Sequence, residues 1–204
     1  MATTVSAVRS GSSSLLRQGG VALGAGSLVG TAIAVVTSTV APQWATPGTT
    51  SFGVAGVVLT IIHLASLFAV VTLAASVAAR AGWLKNVGFA LTLAGQVAQA
   101  LGESVIRFDM TVGNAFFTVC MPLMGLGMIL VGIAVIRTGT WSSWRRFMPI
   151  ACGLYIPIVL VPAFVIEKGP SFPALAGFGA VYALLGLAMF IESSRNDRRQ
   201  VEAA

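Results

Sequence analysis

Four side chains that could do chemistry fall on one repeating pattern. Gln96, Gln99, Glu103 and Arg107 stand at i, i+3, i+7 and i+11, which places them along one face of a helix. Glu103 and Arg107 form an i,i+4 pair of the favourable orientation, and Asp109 sits just beyond. Such a face can hold a ligand by amide hydrogen bonds with a charge at its end, or drive acid chemistry on a lipid-soluble substrate with Glu103 and Asp109 as the acids. Its plainer use is structural, with the charges solvated at an interface and the glutamines bonding neighbouring helices.

The remaining reactive residues are sparse. His63 is the single histidine, which excludes bis-His haem and zinc sets built on several histidines from one chain. Cys120, Met124 and Met128 follow at i, i+4 and i+8, soft sulfur ligands of the kind that suit Cu(I), although methionine is equally a filler of packing gaps. Cys120 and Cys152 lack a CxxC arrangement, so a disulfide oxidase is excluded. Asp109 and Asp197 are the only aspartates, too few for the paired aspartate-rich loops of a membrane prenyltransferase. Gly24-Ala25-Gly26-Ser27 has the wrong order for a rhomboid-type serine, and no dyad can be assembled. No cofactor is implied.

These residues must be positioned by helices in a bilayer. Of 204 residues 56% are hydrophobic and 9% charged, and the mean hydropathy is +0.92. Soluble domains carry about 25% charged residues, so most of this surface must face something other than water. The net charge of +6 would suggest nucleic acid in a soluble chain. Here basic residues flanking spans account for it, and no nucleic-acid partner is expected.

Hydropathy and breaker residues predict an all-α bundle of six spans, at about 19–41, 52–79, 84–106, 114–137, 147–166 and 173–192. Residues 1–18, rich in Ser and Thr, read as a disordered lead-in, and 193–204 as a basic tail. The first apolar stretch exceeds the 7–15 residues of a signal-peptide core and runs into Pro42, so it reads as a retained span. With the N-terminus inside, Arg9, Arg17, Arg80, Lys85, Arg137, Arg145, Arg146, Arg195, Arg198 and Arg199 are cytoplasmic, against Arg107 and Lys168 outside. That ten-to-two division predicts both termini inside.

Counting at 1.5 Å per residue from the outer span ends puts His63 about 16 Å deep, Gln96 about 15, Met124 about 15, Tyr155 about 16 and Tyr182 about 13. Polar groups at such depth face a bundle interior or a cavity, so His63, Gln96 and at least one of Met124, Tyr155 and Tyr182 are expected to meet around a ligand. Small residues at Gly20, Gly24, Gly26, Gly30, Ala34 and Ser38 mark a packing face on the first span, for its own bundle or for a second copy. Val77 to Lys85 (VAARAGWLK) and Ala134 to Trp141 (AVIRTGTW) share Arg, then Gly two later, then Trp, a faint repeat of a two-helix unit.

Richness in Ala, Gly and Val, six short-looped helices and the phrases VIRTGTWSSWRRF and GAVYALLGLAMF give the chain its likeness: it resembles the uncharacterised six-span integral membrane proteins of actinobacteria. That resemblance implies a multi-pass protein of the bacterial plasma membrane and transfers no site residue. The expected role is binding or permeation of a small or lipophilic ligand, alone or as a subunit of a larger membrane assembly. The ligand-facing residues would be His63, Gln96, Gln99, Glu103, Arg107, Tyr155 and Tyr182. The alternatives are a small enzyme acting on an isoprenoid or lipid with Glu103 as acid, and a structural or regulatory partner protein docking through its basic tail.

Overall fold

The computed structural model describes residues 2–76, 82–139, 141–167 and 170–202, and these hold helices with no strand. In chain order they are α1 (Ala2–Thr39), α2 (Thr50–Ser76), α3 (Gly82–Val105), α4 (Met110–Thr138), α5 (Met148–Tyr155), α6 (Val161–Glu167) and α7 (Phe172–Glu202). A π-helical turn, Ile156–Leu160, joins α5 to α6 and contains Pro157, whose missing N–H and ring fit a widened turn better than a regular one. Residues 2–18 form the first part of α1, with no proline to interrupt them and Leu16 buried against the bundle. The 193–204 segment likewise extends α7 as far as Glu202.

Among the described residues five stretches are long and apolar enough to cross a membrane: Ser13–Thr39, Thr50–Ser76, Met110–Thr138, Ser143–Glu167 and Phe172–Arg198. This is the build of a multi-pass integral membrane protein. Their outward faces carry Val29, Ile61, Val119, Leu126, Ile158 and Leu187, an apolar exterior that suits lipid. α3 has 24 residues, about 36 Å of helix, but Lys85, Asn86, Gln96, Gln99 and Glu103 make it less apolar than the rest.

The helices close into a ring. α1 packs on α2, α2 on α3, α3 on α4 and α4 on α5, α5 packs on α7, and α7 returns to α1. Glycine sets the spacing of the tightest seams. Along α3 and α4 a Cβ at Gly88 would strike Val131 N at 2.9 Å, one at Gly95 Met124 N at 2.9 Å, and one at Gly113 Ile106 Cα at 2.7 Å, so the pair runs antiparallel over its full length. On the α1–α7 seam a Cβ at Gly186 would come within 2.5 Å of Gly24 N, while Thr31 Oγ1 donates to Ala176 O at 3.3 Å. Gly26 and Gly30 face Ile62 of α2. The glycines of the α1 stripe are thereby used inside the bundle, Gly20 and Gly24 against α7 and Gly26 and Gly30 against α2, while Ser38 at its end is exposed.

The interior is filled by Leu23, Leu73, Phe89, Met124, Met128, Val131, Cys152, Tyr182, Leu185 and Met189. Gly20 packs beside Phe190, so the start of α1 and the end of α7 share one end of the bundle. Arg17, Lys85, Arg137, Arg145, Arg146, Arg195 and Arg198 lie at that end, and Arg107 at the other. Arg80 and Lys168 fall outside the described residues, as does most of the first half of the faint repeat. Its two glycines, Gly82 and Gly139, both adopt left-handed φ, at 57° and 61°. Their tryptophans diverge, Trp83 outward and Trp141 inward.

Candidate functional site

α3 presents its polar face toward α2 and α4. The deepest member, Gln96, is 1% exposed, and its Oε1 has no hydrogen-bond partner. Gln99, nearly one turn nearer the end away from the termini, also has a buried and unpartnered Oε1. One further turn out, Glu103 Oε1 lies 3.6 Å from His63 Nε2 of α2. Their side chains are 16% and 13% exposed, so the pair is mostly withdrawn from the surface.

Local geometry explains why these two meet. Gly56 has no side chain, and even an added Cβ there would stay 3.7 Å from Glu103 O, so α2 and α3 approach closely. Thr60 Oγ1 and Ser104 Oγ lie 3.4 Å apart across the same seam, each also donating to a carbonyl of its own helix, Gly56 O and Ala100 O. Those hydroxyls are satisfied locally and leave the ionisable pair to each other. At 3.6 Å the imidazole and carboxyl groups face each other at a distance longer than the 2.7–3.2 Å of a direct N–H···O bond.

The expected depth match between His63 and Gln96 does not hold. His63 is level with Glu103, which is seven residues from Gln96, or about 10 Å along the helix. α2 begins about two turns beyond the end of α3, so counting from helix ends as if they were coplanar misaligned the two residues. Gln96 is instead level with Met124, which packs against the adjoining Gly95.

Arg107 does not pair with Glu103. α3 ends at Val105, so Arg107 lies in the following turn, where its Nε donates to Ser104 O at 3.0 Å and its guanidinium stands 5.5 Å from the centre of the Phe108 ring. Asp109 is occupied as the N-cap of α4, its Oδ1 accepting from Thr111 N and Val112 N at 2.9 and 3.0 Å. Tyr155 donates its hydroxyl to Ala174 O at 3.0 Å and so ties α5 to α7.

Tyr182 is different. It is 3% exposed, packs at a tilt on Phe178 with ring centres 4.4 Å apart, and its hydroxyl has no partner. Cys120 Sγ contacts Phe117 O at 3.4 Å and Cys152 Sγ contacts Val181 O at 3.7 Å. Met124 and Met128 are buried in the core. Among the described residues no group of three or more His, Cys, Asp or Glu side chains is placed to hold a metal ion.

A second polar cluster was not singled out from the sequence. Near the termini end, Arg145 Nε lies 3.1 Å from Glu192 Oε1, with both side chains under 10% exposed. The same carboxylate oxygen accepts from Ser142 N at 3.1 Å, and Ser142 Oγ accepts from Arg145 and from Arg195. The available signal was an acid inside the apolar run AMFIESS, where a lone carboxylate demands a partner. Counting Arg145 only as a topology marker hid that partner.

No family model, curated protein or solved structure matches the chain. The chemistry of the site therefore has to be read from its own residues. Two amide oxygens require donors, a phenol can donate or accept, and an imidazole–carboxylate pair can take or give a proton.

Proposed function

We propose that this is a six-span protein of a bacterial plasma membrane that binds, or passes, a small or lipophilic ligand bearing hydrogen-bond donors along the polar face of α3. The sixth span is α3. It runs antiparallel to α4 along its length and packs on α2 near the Glu103 end, and both neighbours are apolar enough to cross a membrane, which supports a crossing by α3 beside them. An even number of crossings agrees with the shared location of the two chain ends. The excess of arginine there supports a cytoplasmic placement.

One observation carries the ligand reading. Gln96 and Gln99 hold buried amide oxygens without partners, on the same face and directly inward of the His63–Glu103 pair. Unpaired polar groups in hydrocarbon cost several kcal/mol each, so a molecule that donates to them is stabilised there. The ligand enters from the outer end, where Gln99 and Glu103 are half-buried and Gln96, further in, is buried. An enzymatic role has less support, because Asp109 is committed to capping and Glu103 stands without a second acid.

The test is native mass spectrometry of the full chain released from membranes in mild detergent. The wild type should carry a non-lipid adduct that is lost in Gln96→Leu and Gln99→Leu, both of which remove the acceptors while keeping bulk. An adduct retained by both variants would contradict the assignment.

A further inference from the structure

The turn between α4 and α5 points to a separate site at the opposite end of the bundle. Ser143 has φ 59°, the only non-glycine residue among those described with a left-handed backbone. That reversal, followed by the tight helical turn Ser143–Phe147, divides five neighbouring side chains between two sides. Trp141 and Arg145 turn inward, 4% and 7% exposed, whereas Trp144, Arg146 and Phe147 turn outward.

The two adjacent arginines consequently have different uses. Arg145 is neutralised by Glu192 and bonded to Ser142, and Arg195 closes the same cluster. Arg146 has no carboxylate partner among the described residues. Its guanidinium lies 4.7 Å from the centre of the Phe147 ring, a cation–π contact that orients the planar fork and leaves its N–H groups to an outside acceptor. Phe147 and Trp144, one turn before it, are each nearly half exposed. Arg137 and Arg198 are also exposed at this end, and Asp197 is the nearby acid on α7 that does not join the buried cluster.

We propose that Arg146, framed by Trp144 and Phe147, binds the phosphate of an anionic phospholipid in the adjoining leaflet. This rests on α4 and the α5–α6 rod being membrane spans, not on the ligand site of α3. Their connecting turn then sits at headgroup depth, where aromatic rings settle. A guanidinium fork matches phosphate oxygens in a bidentate manner. The outward aromatic flank favours a lipid over a soluble anion, since free phosphate would make no use of it.

The full chain reconstituted in nanodiscs with equal phosphatidylglycerol and phosphatidylcholine, then released gently for native mass spectrometry, gives the ratio of the two lipids retained. The wild type should favour phosphatidylglycerol by about fivefold, the factor one surface arginine supplies at an anionic leaflet. Arg146→Gln should bring the ratio near one, and thermal unfolding should confirm that this exposed substitution leaves the fold intact. Arg17→Gln, which removes another exposed charge at the same end, should leave the ratio unchanged. Parity in the wild type, retention of the preference in Arg146→Gln, or an equal loss in Arg17→Gln would overturn a local site. Displacement of the lipid by millimolar inorganic phosphate would overturn its assignment to a lipid.

Discussion

His63 Nε2 faces Glu103 Oε1 at 3.6 Å across the α2–α3 seam, and this contact joins the only histidine of the chain to the one acid on the polar face of α3. The pair closes the outer end of a line that continues inward through Gln99 and Gln96. Its members are unequal in what their loss leaves behind.

Replacing His63 by Leu leaves the mostly buried Glu103 carboxyl without its partner, whereas replacing Glu103 by Gln leaves the imidazole beside an amide that can still hydrogen-bond to it. His63→Leu should therefore lower stability more, by about 1–3 kcal/mol, and the double variant should recover part of that loss. Thermal unfolding in detergent at neutral pH checks the order. A larger loss in Glu103→Gln would contradict it.

The Arg145–Glu192 pair is more deeply buried and should be costlier to break. Glu192→Gln or Arg145→Met alone should destabilise by about 3–5 kcal/mol, because one charge is left uncompensated, while Arg145→Met with Glu192→Met should lie closer to wild type. Denaturation of the three variants side by side measures this coupling.

Glycine seams and open glycines should respond in opposite directions. A Cβ at Gly132 would meet Ile150 N at 2.5 Å, so Gly132→Ala should force α4 and α5 apart and destabilise the bundle. Gly53, in α2, has nothing within 4 Å, and Gly53→Ala should be neutral or stabilising by up to about 1 kcal/mol through helix propensity. Melting temperatures decide both cases.

Crossing by α3 is tested by cysteine labelling. Cys120 and Cys152 are buried, so introduced thiols report alone. A membrane-impermeant maleimide applied to intact cells should label Phe108→Cys and spare Gly139→Cys and Trp83→Cys until the cells are opened. Labelling of Trp83→Cys in intact cells would place both ends of α3 on one side.

Much of this architecture is legible in the residues. The polar face of α3 follows from helical period, and the span pattern from apolar runs interrupted by Pro, Gly and charge. The partners on neighbouring helices are not legible, because they depend on how far one helix is shifted along the next. His63 meets Glu103 and not Gln96 only because α2 extends about two turns beyond α3. The same holds for Arg107, whose distance from Glu103 rests on α3 ending two residues earlier. Small residues on α1 signal close packing, yet nothing local tells that Gly24 serves α7 and Gly26 serves α2. Arg145 and Glu192 lie 47 positions apart, and their pairing is a property of the closed ring.

The proposed ligand path runs inward along the polar face of α3 from the outer end. Gln99→Cys, treated in intact cells with a small charged methanethiosulfonate, measures this directly, since only a water-reached thiolate reacts. Reaction within about tenfold of the rate at Phe108→Cys is expected, with Val97→Cys, on the apolar outward face of the same helix, unreactive. If Gln99→Cys is as inert as Val97→Cys, the polar face is sealed packing and the ligand path does not exist.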